Sequence, residues 1–166
     1  RQTITDAEQL QFSQQLGTIE HAIGTSLREP KDFRLPSTFA DVSNLDKDGK
    51  PFESDDRRRL FAIGNRLWHS DSSFKVVPAK YSILHAISVP SKGGKTEFAH
   101  MPSAYDELEN DIKLEINDYI CQHSQMFSRQ LVGFTDFTED ERTRFAPVRQ
   151  CLVRQHSETY RKSLYL

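Results

Sequence analysis

The sequence Leu-Trp-His-Ser-Asp-Ser-Ser-Phe at residues 67–74 places a histidine and an aspartate two positions apart. Its apolar residues predict a strand, on which side chains two positions apart share a face. His69 and Asp71 would then direct an imidazole nitrogen and a carboxylate oxygen to the same point. Such a pair forms two thirds of the 2-His-1-carboxylate triad that holds non-haem Fe(II) and leaves positions open for chemistry.

The same two residues have a plainer interpretation, a surface histidine beside a turn aspartate, because His-x-Asp occurs by chance in many chains. The surrounding sequence favours the metal site: Gly-Asn-Arg precedes the motif at residues 64–66, Gly-Gly-Lys-Thr-Glu-Phe follows at 93–98, and Ala-Tyr-Asp at 104–106. Together these motifs resemble the taurine/2,4-dichlorophenoxyacetate dioxygenase (TauD/TfdA) family of Fe(II)- and 2-oxoglutarate-dependent oxygenases. The sequence of residues 67–74 is more similar to the phenoxyacetate branch of the family than to the taurine branch. The resemblance extends from Gln2 to Leu166.

The resemblance implies one domain over residues 1–166, of mixed α/β class and mainly β. Its expected architecture is a double-stranded β-helix of the jelly-roll, clavaminate synthase-like type with helical insertions. The residue spacing alone indicates only a mixed chain with several strands. Because the chain opens at Arg1 rather than at a methionine and stops at Leu166 inside a predicted strand, we expect it to be truncated at both ends, with the C-terminal strands missing.

The resemblance also implies a reaction. His69 and Asp71 would bind Fe(II), with 2-oxoglutarate as cosubstrate and O2 as oxidant, and a small anionic substrate would be hydroxylated with release of succinate and CO2. Thr96 matches a threonine whose hydroxyl donates to a 2-oxoglutarate carboxylate, a charge-assisted bond. Asn65 matches a substrate contact of the taurine branch. An ordinary strand threonine, and an asparagine that bonds its neighbours, are the alternatives for these two residues.

The second iron histidine and the arginine that pairs with 2-oxoglutarate are expected beyond Leu166. Three further histidines could be considered as the third ligand: His100, His123 and His156. In the family that ligand comes from a later strand, beside a Trp-Asp-Asn-Arg-like sequence that this chain lacks. We therefore expect none of the three to bind the iron.

Composition narrows the class of protein. Hydrophobic residues make up 36% of the 166 residues and charged residues 28%, which is typical of a soluble globular domain. A net charge of −2 gives no electrostatic case for nucleic acid or an anionic membrane. Two cysteines, Cys121 and Cys151, are too few for a disulfide framework or a zinc cluster. We expect a cytoplasmic protein with a small-molecule substrate, no nucleic-acid partner and no membrane partner, and we leave a homo-oligomer open.

Local signals predict the remaining elements. Thr5 and Glu8 form a capping box at the start of a helix over residues 6–16, and Thr138 opens another short helix before Pro147. Apolar spacing predicts one or two helices within residues 103–118, whereas residues 122–131 could be helix or loop. Strands are predicted over residues 41–44, 80–89 and 96–99, and a hairpin over 151–156 and 161–166.

One further motif is a calcium-loop pattern that begins at Asn44. Asp46, Asp48 and Gly49 fit an EF-hand loop, but Pro51 falls inside it and the twelfth position is aspartate rather than glutamate. A hairpin turn is the better interpretation. The hypotheses are thus a dioxygenase, a non-catalytic remnant of the same fold with an incomplete metal site, and, with least support, a calcium-binding module.

Overall fold

The structure, a computed structural model, describes residues 3–22 and 26–166. These residues fall into two units. The first unit takes the residues up to Trp68 together with Gln125–Ala146, and the second takes His69–Ser124 and Pro147–Leu166. Among the described residues, no helix combines the length and apolar character that a membrane span requires.

The described residues of the first unit form four α-helices and two 3-10 helices. The α-helices are α1 (Asp6–Gln14), α2 (Arg57–Ala62), α5 (Gln125–Leu131) and α6 (Glu139–Arg144), and the 3-10 helices are Pro30–Asp32 and Ile63–Arg66. The two predicted capping boxes are confirmed. Thr5 with Glu8 starts α1, and Thr138 with Glu141 starts α6, because each hydroxyl accepts an amide hydrogen that the helix leaves unpaired.

Four phenylalanines form the core of the first unit: Phe61, Phe134, Phe137 and Phe145. Phe61 on α2 lies at the centre, with its ring edge-on to that of Phe134 at 5.7 Å between centroids. Such edge-to-face pairs add to the free energy gained by burying the rings. The core therefore joins α2 to the segment around α6.

Two short antiparallel sheets and two helices form the second unit. The helices are α3 (Met101–Asp106) and α4 (Asn110–Ile116), and the strands are β1 (Ile120–His123), β2 (Val148–Cys151), β3 (Val153–Gln155) and β4 (Lys162–Leu164). Strand β1 pairs with β2, and β3 pairs with β4. The predicted hairpin near the C-terminus is confirmed. The predicted helical stretch over residues 103–118 is confirmed as two helices, and the open alternative over 122–131 is helix from Gln125 onward, after the end of β1.

Four other strand predictions are wrong in this structure. Over residues 41–44, 67–74, 80–89 and 96–99 the described backbone forms turns or irregular structure. Alternation of apolar side chains gives a segment a face for burial, but a strand also needs a neighbour to receive its backbone hydrogen bonds. Residues 80–100 are almost entirely exposed, which is consistent with a lack of such a neighbour among the described residues. The mainly β content is consequently not confirmed, because helix exceeds strand in the described part of the chain.

The calcium-loop pattern forms the hairpin turn that was preferred for it. Leu45 bridges to Pro51, and Gly49 adopts a left-handed conformation with φ of 79°. The Asp46 carboxylate accepts the backbone N–H groups of Asp48 and Lys50, both at 2.9 Å. This oxygen holds the turn closed, as aspartate commonly does in turns.

Candidate functional site

The His-x-Asp motif does not form a strand: His69 lies on irregular backbone, and Asp71 lies in the first of two successive turns over residues 70–75. The backbone N–H of Ser73 donates to the carbonyl of Ser70 at 3.3 Å, and that of Lys75 donates to the carbonyl of Ser72 at 2.9 Å. Ser72 lies in the left-handed region with φ of 57°, which is uncommon for a residue with a side chain. The strand explanation for the pairing of His69 with Asp71 is therefore wrong, although their convergence is observed.

The two donor atoms of the motif lie close together. Nε2 of His69 is 3.2 Å from Oδ1 of Asp71. Two neighbouring donors of an octahedral ion with bonds of about 2.1 Å are about 3.0 Å apart. About half of each side chain is exposed, at 47% and 59%. The donor types, their separation and their access fit two adjacent ligands of a divalent metal ion.

The charge on Asp71 suits the same role. A hydrogen bond from His69 holds the pKa of Asp71 below its ordinary value of 3.8, with further help from the Ser82 hydroxyl and against the opposing effect of partial burial. Asp71 is consequently a carboxylate at neutral pH, which is the form that binds a metal ion. Ser82 was not singled out from the sequence, because only its place in the predicted strand over residues 80–89 distinguished it.

The described residues do not supply a third ligand beside this pair. Within residues 3–22 and 26–166, no three His, Cys, Asp or Glu side chains are grouped so as to hold a metal ion. Nδ1 of His100 lies 2.8 Å from the Ser103 hydroxyl at the start of α3. His123 is buried with its ring stacked on Tyr165, and Nδ1 of His156 accepts two backbone N–H groups in the β3–β4 turn.

Thr96 belongs to the same unit as His69 and Asp71. It is exposed, in a stretch without regular structure. Gly93 and Gly94, just before it, both have positive φ, at 73° and 67°, so the chain turns there in a way that favours glycine. The 2-oxoglutarate contact of Thr96 stays a prediction.

Asn65 lies in the first unit, in the 3-10 helix Ile63–Arg66. Its side-chain oxygen accepts a hydrogen bond of 2.7 Å from Nη2 of Arg129, which is buried and lies over the Phe61 ring. Burial lowers the pKa of Arg129 to about 10. Asn65 thus bonds a neighbour, as its alternative interpretation held, and its substrate contact stays a prediction.

Gln150 on β2 is a residue that the sequence analysis missed. Its side-chain amide donates to the carbonyl oxygens of Ser73 and Lys75, at 3.1 and 2.7 Å. These carbonyls belong to the two turns over residues 70–75, which contain Asp71 and directly follow His69. A glutamine in a short strand carries no local signal of such a long-range contact, so the sequence could not have revealed it.

The family is established by comparison with known proteins. The model of the family described as taurine catabolism dioxygenase TauD, TfdA family matches residues 1–166. The chain therefore belongs to this family, as its motifs indicated.

Two curated relatives share the whole length of this chain. It is 37% identical to the alpha-ketoglutarate-dependent 2,4-dichlorophenoxyacetate dioxygenase of Burkholderia sp. (strain RASC), and 38% identical to the protein of that name from Cupriavidus pinatubonensis. Each alignment covers 99% of this chain, but only 55% and 57% of the respective relative. The chain thus spans little more than half the length of these relatives.

A solved structure supports the fold. The crystal structure of AAD-2 in complex with Mn(II) and N-oxalylglycine is 52% identical in sequence and superimposes with a TM-score of 0.96. The match covers all of this chain and 57% of that one. The fold of these residues is therefore that of the corresponding part of AAD-2.

Proposed function

We propose that this chain is part of an Fe(II)- and 2-oxoglutarate-dependent dioxygenase that hydroxylates a small anionic substrate. The observation that carries the proposal is the 3.2 Å separation of His69 Nε2 and Asp71 Oδ1, a separation suited to adjacent ligands of one ion. Membership of the dioxygenase family supports the same chemistry.

The residues of this chain would bind and orient. His69 and Asp71 would hold the iron, and the Thr96 hydroxyl would donate to a carboxylate of 2-oxoglutarate. When bound, iron and 2-oxoglutarate activate O2, placing one oxygen atom in the hydroxylated product and the other in succinate, with loss of CO2. Within the described residues, no third His, Cys, Asp or Glu side chain joins the pair.

The names of the relatives suggest the substrate class. The relatives include 2,4-dichlorophenoxyacetate dioxygenases and an (S)-phenoxypropionate/alpha-ketoglutarate-dioxygenase from Sphingobium herbicidovorans, which is 32% identical to this chain. We therefore propose an aryloxy carboxylic acid as substrate. Asn65 is kept as a candidate contact for it.

We also propose the jelly-roll architecture for the domain to which residues 1–166 belong. The likeness to the AAD-2 structure supports it.

Succinate formation tests the proposed function. The full-length protein should convert 2-oxoglutarate to succinate with Fe(II) and an aryloxy acid, and His69→Ala should lower this rate by at least about 100-fold, because a ligand contributes more than the residues that support it. His100→Ala, which alters an exposed histidine of the same unit, is the matched control and should retain the rate.

Two results would contradict these proposals. Succinate formation that persists in His69→Ala, or that is lost equally in His100→Ala, would contradict the ligand assignment. A full-length protein that binds neither Fe(II) nor 2-oxoglutarate would instead support the non-catalytic remnant.

A further inference from the structure

We infer that Gln150 is a positioning residue for the metal-binding turn, an inference that rests on the proposed function. Gln150 lies on β2, and only 5% of it is exposed. It contacts neither His69 nor Asp71 through the bonds described above. It acts through the backbone carbonyls of Ser73 and Lys75, to which its amide nitrogen donates.

Three hydrogen bonds fix the orientation of the Gln150 side-chain amide. A glutamine amide has two N–H donors and one carbonyl acceptor. Both donors face backbone carbonyls, while Oε1 accepts from Nη2 of Arg154. Because arginine donates only, the amide cannot rotate by 180° without setting its own NH2 against the guanidinium and its oxygen against two carbonyls.

Arg154 is itself held in place. It lies on β3, and its guanidinium is 3.6 Å from the centre of the Tyr165 ring. The backbone N–H of Tyr165 donates to the carbonyl of Leu152 at 2.8 Å, and its ring stacks on His123. A chain of contacts thus runs from the C-terminal hairpin through Arg154 to Gln150 and on to the turn.

The two residues that Gln150 holds are the ones that close the turns. The N–H groups of Ser73 and Lys75 make the two turn hydrogen bonds, and their carbonyls accept from Gln150. Ser72, which directly precedes Ser73, is left-handed; this conformation costs on the order of 1 kcal/mol and persists only where the surroundings hold it. Gln150 supplies that restraint, so the separation of the two donor atoms depends on it.

Metal affinity is the direct test, measured on the full-length protein as the dissociation constant of Mn(II) in the absence of turnover. Gln150→Met keeps the approximate shape of the side chain and removes both donors. We expect it to weaken Mn(II) binding about 10- to 100-fold, as loss of residues that orient metal ligands typically does. Gln122→Met is the matched control, since Gln122 is an exposed glutamine on the partner strand β1, and it should bind as the wild type does.

A second pair of variants keeps the inference testable if Gln150→Met does not fold. Arg154→Met frees the oxygen of Gln150 and should also weaken Mn(II) binding. Arg154→Lys retains a donor and should restore most of it. Mn(II) affinity that is unchanged in folded Gln150→Met, or in both Arg154 variants if Gln150→Met is unfolded, would overturn the inference. Wild-type protein that binds no Mn(II) would contradict the proposed function itself.

Discussion

Two segments of one unit differ in how they are held: the turn segment over residues 70–75, which contains Asp71 and directly follows His69, and the segment that carries Thr96. Side-chain hydrogen bonds hold the turn segment: Gln150 donates to its backbone carbonyls, and Ser82 donates to the Asp71 carboxylate. The segment is exposed, and the Phe98 side chain, two residues after Thr96, is 89% exposed.

This difference separates two parts of one proposed site. Hydrogen bonds between described residues hold the segment that carries the two metal donors. Thr96, the proposed 2-oxoglutarate contact, lies on backbone without regular structure. We therefore expect changes at Thr96 to alter 2-oxoglutarate binding alone, and changes at the turn to alter metal binding.

Thr96 gives the largest expected effect in this comparison. Thr96→Val removes the hydroxyl while keeping the branched shape, and it should raise the KM for 2-oxoglutarate about 10- to 100-fold, since a hydrogen bond to a charged group contributes about 1.5–3 kcal/mol. Thr96→Ser retains the donor and is the matched control. Steady-state kinetics and Mn(II) titration check this together, and a change in Mn(II) affinity would break the proposed separation.

Asn65 sharpens the comparison, because it is held by a side-chain contact as the turn is. Asn65→Ala removes the acceptor for the buried Arg129, and an unpaired buried donor should cost about 1–3 kcal/mol of unfolding free energy. Chemical denaturation measures this loss. A large rise in the substrate KM with no loss of stability would instead indicate that Asn65 serves the substrate alone.

Acid should weaken the restraint between His69 and Asp71, and this is the smallest expected effect. A lowered pKa means that the Asp71 carboxylate stabilises the fold above its ordinary value of 3.8 and loses that contribution as the pH falls through its pKa in the folded protein. Solvent screens a pair this exposed, so the change should be small. A double-mutant cycle of His69→Ala and Asp71→Asn, measured by thermal unfolding, should give a coupling that fades as the pH falls below 3.8, and a coupling that grows over that range would contradict it.

Structural features that depend on residues close together in the sequence were predicted correctly. The capping boxes at Thr5 and Thr138 act over three residues, and both were confirmed. The hairpin that contains β3 and β4 pairs with itself across a short turn, so its alternation sufficed. The side chains of residues 80–89 also alternate, but a strand there would need a neighbouring strand to pair with. The local sequence carries no information about such a neighbour.

The candidate site shows the same limit. Two residues in the sequence were enough to predict that His69 and Asp71 meet, although a turn and not a strand brings them together. Gln150 lies 77 residues beyond Ser73, so no local pattern could link them. Long-range contacts of this kind have to be seen in the fold.

One structure of the full-length protein would test the central claim most directly. Crystals grown with Mn(II) and N-oxalylglycine, in which an NH replaces a methylene of 2-oxoglutarate, would place the metal by its anomalous signal. The account predicts Mn(II) about 2.1 Å from both His69 Nε2 and Asp71 Oδ1, with a carboxylate of N-oxalylglycine accepting from Thr96. Mn(II) bound elsewhere, with His69 and Asp71 left bonded only to each other, would contradict it.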